Sequence, residues 1–375
     1  MKTSEAKIFS QNNIDPAAIS QFYDIIKNDE IVAGALMPDA HKGYSLPIGG
    51  VVAAKNMIFP AFVGYDIGCG MCAVPTTFRK DDIILNAERI REKIMVSIPV
   101  GFNHNAEAVI WWDYDHIPKT ETVENIMNHK NGSGWKQLGT LGGGNHFIEI
   151  GSDATDKVWV IIHSGSRGIG HAIATHYMRI AGGGKAREGY YGFDVESEDG
   201  KNYILDLNFG LEYALANRKM MMSKINTAMT SFCAGGFEWD KLINRNHNHA
   251  ELRNHPEFGE VWIHRKGATH ADEGMMGVIP GNMRDGSFIV VGKGNIDSLW
   301  SSSHGAGRIL GRKKAKEVLK LEDFEHTMKD VLADVDVEHL DESPFAYKNI
   351  FTVMEDQKNL VEVVAHVKPI LNVKG

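Results

Sequence analysis

Lys157-Val158-Trp159-Val160-Ile161-Ile162-His163-Ser164-Gly165-Ser166-Arg167-Gly168-Ile169-Gly170-His171-Ala172-Ile173-Ala174 admits two readings, and the choice between them decides the fold. The apolar run Val158–Ile162 predicts a buried strand, the glycines a turn, and His171–Met178 a helix. A strand, glycine turn and helix start would seat a pyrophosphate in a doubly wound sheet. Outward from this stretch, Ser287–Val291 and Gly49–Ala54 also read as buried strands, and Lys313–Leu321 as a helix. These elements alternate without a regular βαβ rhythm, so α+β is predicted. The polar, glycine-flanked clusters run from Pro38 to Lys374. If they build one site, residues 1–375 form one compact domain with mixed sheets around a central metal and nucleotide cleft.

The doubly wound reading brings an alternative function, an NAD(P)-dependent oxidoreductase, because the loop looks like that of the short-chain dehydrogenases. Three features weaken it. Ser164 stands where the fingerprint has its first glycine, and the loop lies deep in the chain. The Tyr-x-x-x-Lys formed by Tyr23 and Lys27 precedes the loop, the wrong order for that family's catalytic pair. No Gly-x-x-x-x-Gly-Lys-Ser/Thr occurs, so any nucleoside triphosphate is handled without a P-loop.

Composition bounds the class. Hydrophobic residues at 43% and charged residues at 23% are those of an ordinary globular protein. Met1–Lys7 lacks the apolar core of a signal peptide, and no apolar run approaches a bilayer's thickness. Three cysteines argue against a disulfide framework, so the reducing cytoplasm is the expected compartment. A net charge of −8 counts against a generic nucleic-acid binder but permits a local basic groove. The candidate for one is Arg308-Ile309-Leu310-Gly311-Arg312-Lys313-Lys314-Ala315-Lys316, although such runs are more often solvated faces.

Five side chains stand out as possible metal ligands. Asp66 and Cys69 lie in Gly64-Tyr65-Asp66-Ile67-Gly68-Cys69-Gly70-Met71, where glycines let a carboxylate and a thiol converge. His146 follows Gly142-Gly143-Gly144-Asn145, His163 ends the strand, and His247 lies in Asn244-Arg245-Asn246-His247-Asn248-His249. The mixed set suits Mn²⁺, Zn²⁺ or Fe²⁺, with the thiolate leaning towards zinc. A thiolate shared by two ions is one use of five ligands, and paired ions recur in phosphoryl chemistry. Against this, any single histidine among 17 is more often a surface or core residue, and Cys69 with Cys72 could be a redox pair.

Ser301-Ser302-Ser303-His304-Gly305-Ala306-Gly307-Arg308 places an open imidazole beside an arginine able to hold a phosphate in a fork. A neutral imidazole can attack phosphorus directly. Read in order, Pro38–Gly43, Asp66–Met71, Gly142–Glu149, His163–Gly168, His264–Ala268, Pro280-Gly281-Asn282-Met283 and His304–Arg308 resemble the RtcB-type RNA ligases over nearly the whole chain. A non-catalytic metal-binding RNA module would leave the His304 motif without a use.

The resemblance implies a ligase that uses two Mn²⁺ ions and GTP. It joins RNA 3′-phosphate or 2′,3′-cyclic phosphate ends to 5′-hydroxyl ends, in RNA repair or tRNA splicing. It places Asp66, Cys69, His146, His163 and His247 at manganese-ligand positions, with Cys69 bridging, and His304 at the guanylylated histidine. Asn145, Glu149, Asn248, Pro280, Gly281, Asn282, Met283, Ser287, Ala306, Gly307 and Lys374 fall at positions around the guanine nucleotide. The chain departs from the family at Ser303, usually cysteine, at Asn246, usually histidine, and at His249, usually aromatic; the His-Asn pair favours His247 over His249. Ala181–Asp206 matches poorly. These departures point to a repair-type paralogue acting on broken rRNA or tRNA.

Overall fold

In the computed structural model, which describes residues 5–185 and 189–375, the strand Val158–Ser164 is antiparallel to both neighbours, Gly70–Pro75 and Phe147–Ser152. A dinucleotide-binding unit needs parallel neighbours joined by a helical crossover. The nucleotide-loop reading is therefore overturned, and the fold is α+β. Residues Met1–Ser4, read above for their lack of an apolar core, lie outside the described residues, as does part of Ala181–Asp206.

Val158–Ser164 is apolar at consecutive positions because both of its faces are covered. Val158, Val160 and Ile162 pack with Cys72, Val74, Ile148 and Ile150. Trp159 and Ile161 point the other way, onto Met71, Ala73, Ile243 and Val367. Alternation places His163 on the Trp159 and Ile161 face at the strand's end. The same alternation separates the cysteines. Cys72 is buried in the apolar core, whereas Cys69 precedes the strand and faces histidines, so the two are not placed as a redox pair.

Two large sheets organise the chain. Seven strands run in the order Met276–Pro280, Ser287–Gly292, Val361–Lys374, Phe147–Ser152, Val158–Ser164, Gly70–Pro75 and Ile243–Asn246. Five run in the order Glu5–Ile8, Ile31–His41, Ile48–Ala54, Gly259–Lys266 and Asn248–His255. The strands Ile243–Asn246 and Asn248–His255 sit at edges of the two different sheets, so at this point the chain crosses between them in one residue, His247. Lys374 is no frayed tail: it pairs with Phe147 in the long strand Val361–Lys374 and is buried.

The helix expected at His171–Met178 spans Arg167–Ala181 and begins at Arg167, whose φ of 59° lies in the left-handed region. The helix expected at Lys313–Leu321 is instead split into Arg312–Val318 and Leu321–Met328 by extended residues Leu319 and Lys320. No helix is long and apolar enough to cross a membrane among the described residues.

The longest helix, Glu198–Thr230, was not legible as an amphipathic stripe because buried residues occur around much of its circumference. It carries Arg218, fully buried, whose guanidinium braces three segments at once. Nη1 donates to the carbonyls of Gly68 and Ser164, both 2.8 Å away. Nε donates to Asn244 Oδ1 at 2.7 Å and Nη2 to Asn246 Oδ1 at 2.6 Å. These acceptors adjoin Cys69, His163 and His247 in sequence. Replacing Arg218 by Met would strand four buried acceptors, so the free energy of unfolding should fall by about 3 kcal/mol or more. Urea unfolding followed by tryptophan fluorescence measures it; an unchanged midpoint would show that the brace contributes nothing.

Candidate metal centre and nucleotide cavity

The loop Gly64–Gly70 delivers Asp66 and Cys69 to the end of the strand that bears His163. Gly70 has no room for a side chain, because a Cβ there would overlap the carbonyl of Arg245. That close approach lets the backbone of Cys69 accept from His247 N at 2.7 Å, which fixes the crossing residue against the loop. His146 enters from the opposite side on the glycine run Gly142–Gly144.

The donor atoms converge. Cys69 Sγ lies 3.2 Å from His163 Nε2 and 3.5 Å from His146 Nε2. His146 Nε2 is 3.2 Å from Asp66 Oδ2, and His163 Nε2 is 3.3 Å from His247 Nε2. Two triads result, Cys69/His163/His247 and Asp66/Cys69/His146, with Cys69 common to both. His146 Nδ1 lies 2.9 Å from the carbonyl of Leu141 and His163 Nδ1 3.0 Å from that of Asn145. A carbonyl only accepts, so these Nδ1 atoms carry the protons and both Nε2 lone pairs face the thiol.

Burial drives the Cys69 thiol well above its ordinary pKa, and the neighbouring Asp66 charge pushes it further. Burial, with other cationic neighbours, pulls His163 and His247 well below theirs. Without a cation, His163 and His247 are thus neutral imidazoles beside a protonated Cys69 thiol. Lone pairs this close, with few protons to share, form a donor set that fits a soft-to-intermediate divalent cation.

His249 does not join them. Its ring stacks on His270 with centroids 4.3 Å apart, and its Nε2 accepts from Arg265 Nη1 at 3.0 Å. Arg265 also binds Glu251 at 2.7 Å, so a buried guanidinium already supplies the cation in that second group of histidines and carboxylate. Of the two histidines left open by sequence, His247 is the one in the cluster.

His304 follows the short strand Ser301–Ser303 and is held by Asp39, for which the sequence suggested no role although it lies in the motif Pro38–Gly43. Asp39 Oδ2 lies 2.7 Å from His304 Nδ1 and 3.2 Å from its backbone N–H. Asp39 is fully buried, which would raise its pKa, but His304, His41 and Lys348 bring it below the ordinary carboxylate value. An ionised Asp39 accepts from Nδ1–H and leaves the Nε2 lone pair unused. The His304 and His247 ring centroids are 4.8 Å apart. Ser303, the usual cysteine position, is buried with its hydroxyl 3.4 Å from the backbone N–H of Asp39.

Beside His304 opens a cavity lined by Asn145, Glu149, Pro280, Gly281, Asn282, Met283, Ser287, Ala306, Gly307 and Lys374, and also by His41, His163 and Arg308. Asn248 is not in that lining. Its amide bridges the carbonyl of Asp66 at 3.0 Å and the N–H of Gly267 at 2.8 Å. The phosphate fork expected of Arg308 is not free either, because its guanidinium binds the carbonyl of Asp341 at 2.6 Å and that of Leu310 at 3.0 Å. Arg312 is paired with Asp341 at 2.6 Å and Glu342 at 2.8 Å, and Lys316 with Asp341 at 3.3 Å. The basic run therefore spends much of its charge internally. Lys374 binds Glu342 at 2.7 Å.

Fold and site together define a protein built around a group of potential metal ligands adjoining a cavity headed by a carboxylate-held histidine. A family model described as tRNA-splicing ligase RtcB matches residues 21–375. The RNA-splicing ligase RtcB of Escherichia coli strain K12 is 37% identical over 373 residues, covering 91% of this chain and 90% of that protein. The tRNA-splicing ligase RtcB of Thermococcus kodakarensis is 28% identical, covering 91% of this chain and 87% of that protein. The chain belongs to the RtcB family of RNA ligases.

Glu149 gives the cavity a testable signature. Burial pushes its carboxyl up to about 8, partly offset by Ser287, and its Oε1 has no hydrogen-bond partner. A raised pKa means the folded state keeps a proton that the unfolded chain has released. Glu149 is therefore least costly below pH 4.5, and its penalty grows as pH rises towards 8, to a few kcal/mol. Glu149→Gln should become more stable than the parent over that range, with no difference at pH 4. Parallel unfolding curves from pH 4 to 8 check it; a constant difference would contradict the assignment.

Proposed function

We propose that the chain is a GTP- and Mn²⁺-dependent ligase that seals RNA 3′-phosphate or 2′,3′-cyclic phosphate ends to 5′-hydroxyl ends. Its setting would be RNA repair or tRNA splicing in the cytoplasm. The observation that carries this reading is the His304 imidazole, locked through Nδ1 by Asp39 and presenting Nε2 at a cavity that adjoins the Asp66/Cys69/His146/His163/His247 cluster.

Asp66, Cys69, His146, His163 and His247 would hold two manganese ions, with the Cys69 thiolate shared. Bound there, the ions supply charge neutralisation for phosphate oxygens. His304 Nε2 attacks the α-phosphorus of GTP, a P–N bond forms, the bond to the β-phosphate oxygen breaks, and pyrophosphate leaves. Asp39 stabilises the cationic imidazole through the Nδ1 proton, as a carboxylate does for a catalytic histidine elsewhere. An oxygen of the RNA 3′-phosphate then attacks the same phosphorus and releases His304, leaving GMP on the RNA end. The 5′-hydroxyl of the second RNA attacks the 3′-phosphate, GMP departs, its proton is lost to solvent, and a phosphodiester remains. A cyclic phosphate is first opened by water to the 3′-phosphate.

Guanine suits the cavity's far wall. Its N1–H and N2–H donors match a carboxylate at Glu149, whose Oε1 has no partner and whose ionisation those donors would favour, whereas adenine presents an acceptor at N1. Asn145, Pro280, Gly281, Asn282, Met283, Ser287, Ala306, Gly307 and Lys374 line the space around it, and Asn248 acts from behind by holding Asp66 and Gly267.

Incubation with α-labelled GTP and Mn²⁺, followed by a denaturing gel, should give an acid-labile label on the protein. His304→Ala should lose the label completely, and Asp39→Asn should slow labelling by roughly a hundredfold or more, with the ring's tautomer no longer fixed. Cys69→Ala should lose both labelling and sealing. Label that persists in His304→Ala would move the nucleophile elsewhere.

A further inference from the structure

A lone exposed apolar side chain is ordinary on a protein surface. Phe102 differs in how it is held. Its ring is fully exposed, yet the backbone on both sides of it is pinned. On one side Leu141 N donates to Pro99 O at 3.0 Å and Gly101 N to Gly142 O at 2.8 Å. Arg167 Nη2 donates to Gly101 O at 2.7 Å, from a residue that adopts a left-handed φ of 59°. Such a backbone is strained in a non-glycine residue and persists where surrounding contacts enforce it. On the other side Asn105 Nδ2 donates to the carbonyls of Lys136 and Leu138, both at 2.8 Å, and Lys224 Nζ holds Asn105 Oδ1 at 3.2 Å. Between these anchors Phe102, Asn103 and His104 face solvent.

The anchor points belong to the mouth of the site. Leu141 O is the carbonyl that orients His146, and Gly143, Gly144 and Asn145 are exposed just beyond it. The Cα of Gly101 lies 3.5 Å from where a side chain on Gly143 would begin. The electrostatic setting suits a polyanion on this otherwise acidic chain, for Arg167 and Lys136 are close enough to His104 to add to its desolvation in disfavouring protonation. A rigidly presented phenyl ring, cationic neighbours and an adjacent opening are the parts of a single-strand nucleic-acid track.

We propose that Phe102 is a stacking platform for a base of the RNA strand whose end enters the cleft, a role that rests on the ligase reading above. Stacking on an aromatic face tolerates any base, which suits an enzyme that must seal ends of varied sequence.

The test separates this contact from the chemistry. With single-stranded RNA bearing a 3′-phosphate, Phe102→Ala should raise the KM for RNA roughly tenfold or more, the range reported by aromatic-to-alanine changes under stacked bases. Labelling by GTP in the absence of RNA should be unchanged. Phe102→Tyr should keep parental KM, and Phe102→Leu, apolar but without a π face, should behave as alanine. Phe102→Trp should show fluorescence quenching on titration with the same RNA, a binding readout independent of ligation. Failure of the ligase reading would appear as absent labelling in the parent protein, while quenching would still report the RNA contact. Absence of quenching at saturating RNA, full function of Phe102→Leu, or a change in solution mass in Phe102→Ala, marking an interface between copies, would each overturn the proposal.

Discussion

The structure is organised around a local electrostatic conflict: Asp66, Cys69, His146, His163 and His247 bring lone pairs together within van der Waals range in a buried space. Unaided, a carboxylate, a thiol and three imidazoles would separate, because each prefers water or a hydrogen-bond donor. Here each is carried by a segment with another reason to be in place. His163 ends a strand whose two faces fill separate apolar clusters. His247 is fixed where the chain passes from one sheet to the other. Cys69 is held by a backbone approach so close that only glycine fits at position 70. Arg218 then ties these segments together from behind through carbonyl and amide oxygens. Its charge sits near the thiol and favours the thiolate, although burial outweighs it without a metal.

The second element, His304, comes from the other side of the cleft and is controlled separately. Asp39 lies on Ile31–His41, in the five-stranded sheet, while four of the five clustered ligands belong to the seven-stranded sheet or the loops leading into it. The carboxylate that holds the proposed nucleophile and most of the proposed metal ligands are thus set by two different sheets, and His247 is the shortest covalent link between them. A displacement of one sheet against the other would alter the separation of His304 from the cluster without disturbing either group internally. That arrangement explains why so much chain is used for a small constellation: the separation of the two groups is the quantity that needs to be rigid.

The fold class was legible in the sequence because the strand signals were unambiguous and lacked a crossover rhythm. The dehydrogenase-like stretch misled only locally: Val160–Ala174 is a strand, turn and helix as it appears, but a single strand cannot reveal the direction of its neighbours. The long helix Glu198–Thr230 was illegible for the opposite reason, since burial on several sides erases the 3.6-residue stripe. Among site residues, the five clustered side chains stood out by their motif context, although any one histidine taken alone reads as a surface or core residue; the structure brings all five together. Asp39 and Arg218 were not. Each acts by a hydrogen bond to a residue far along the chain, and nothing in the local pattern separates such a carboxylate or guanidinium from any other.

Arg308 and the basic run behind it show how charge can mislead in the same way. Read in one dimension, Arg308–Lys316 is the obvious landing surface for a polyanion, next to the proposed nucleophile. In space it meets Asp341 and Glu342, residues some thirty positions away, and Glu342 is held ionised near pKa 2 by Lys374 and Arg312 against its burial. The cations there serve mainly to keep buried carboxylates charged beside the cavity, and so to fix the end of Val361–Lys374 where Lys374 contributes to the wall. Attraction for RNA has to arise where cations are not already matched by acids. Around Gly101–Asn105, beside the exposed ring of Phe102 and the segment leading to His146, neither Arg167 nor Lys136 forms an ion pair among the described residues, although Asp66 lies near enough to favour the Arg167 charge.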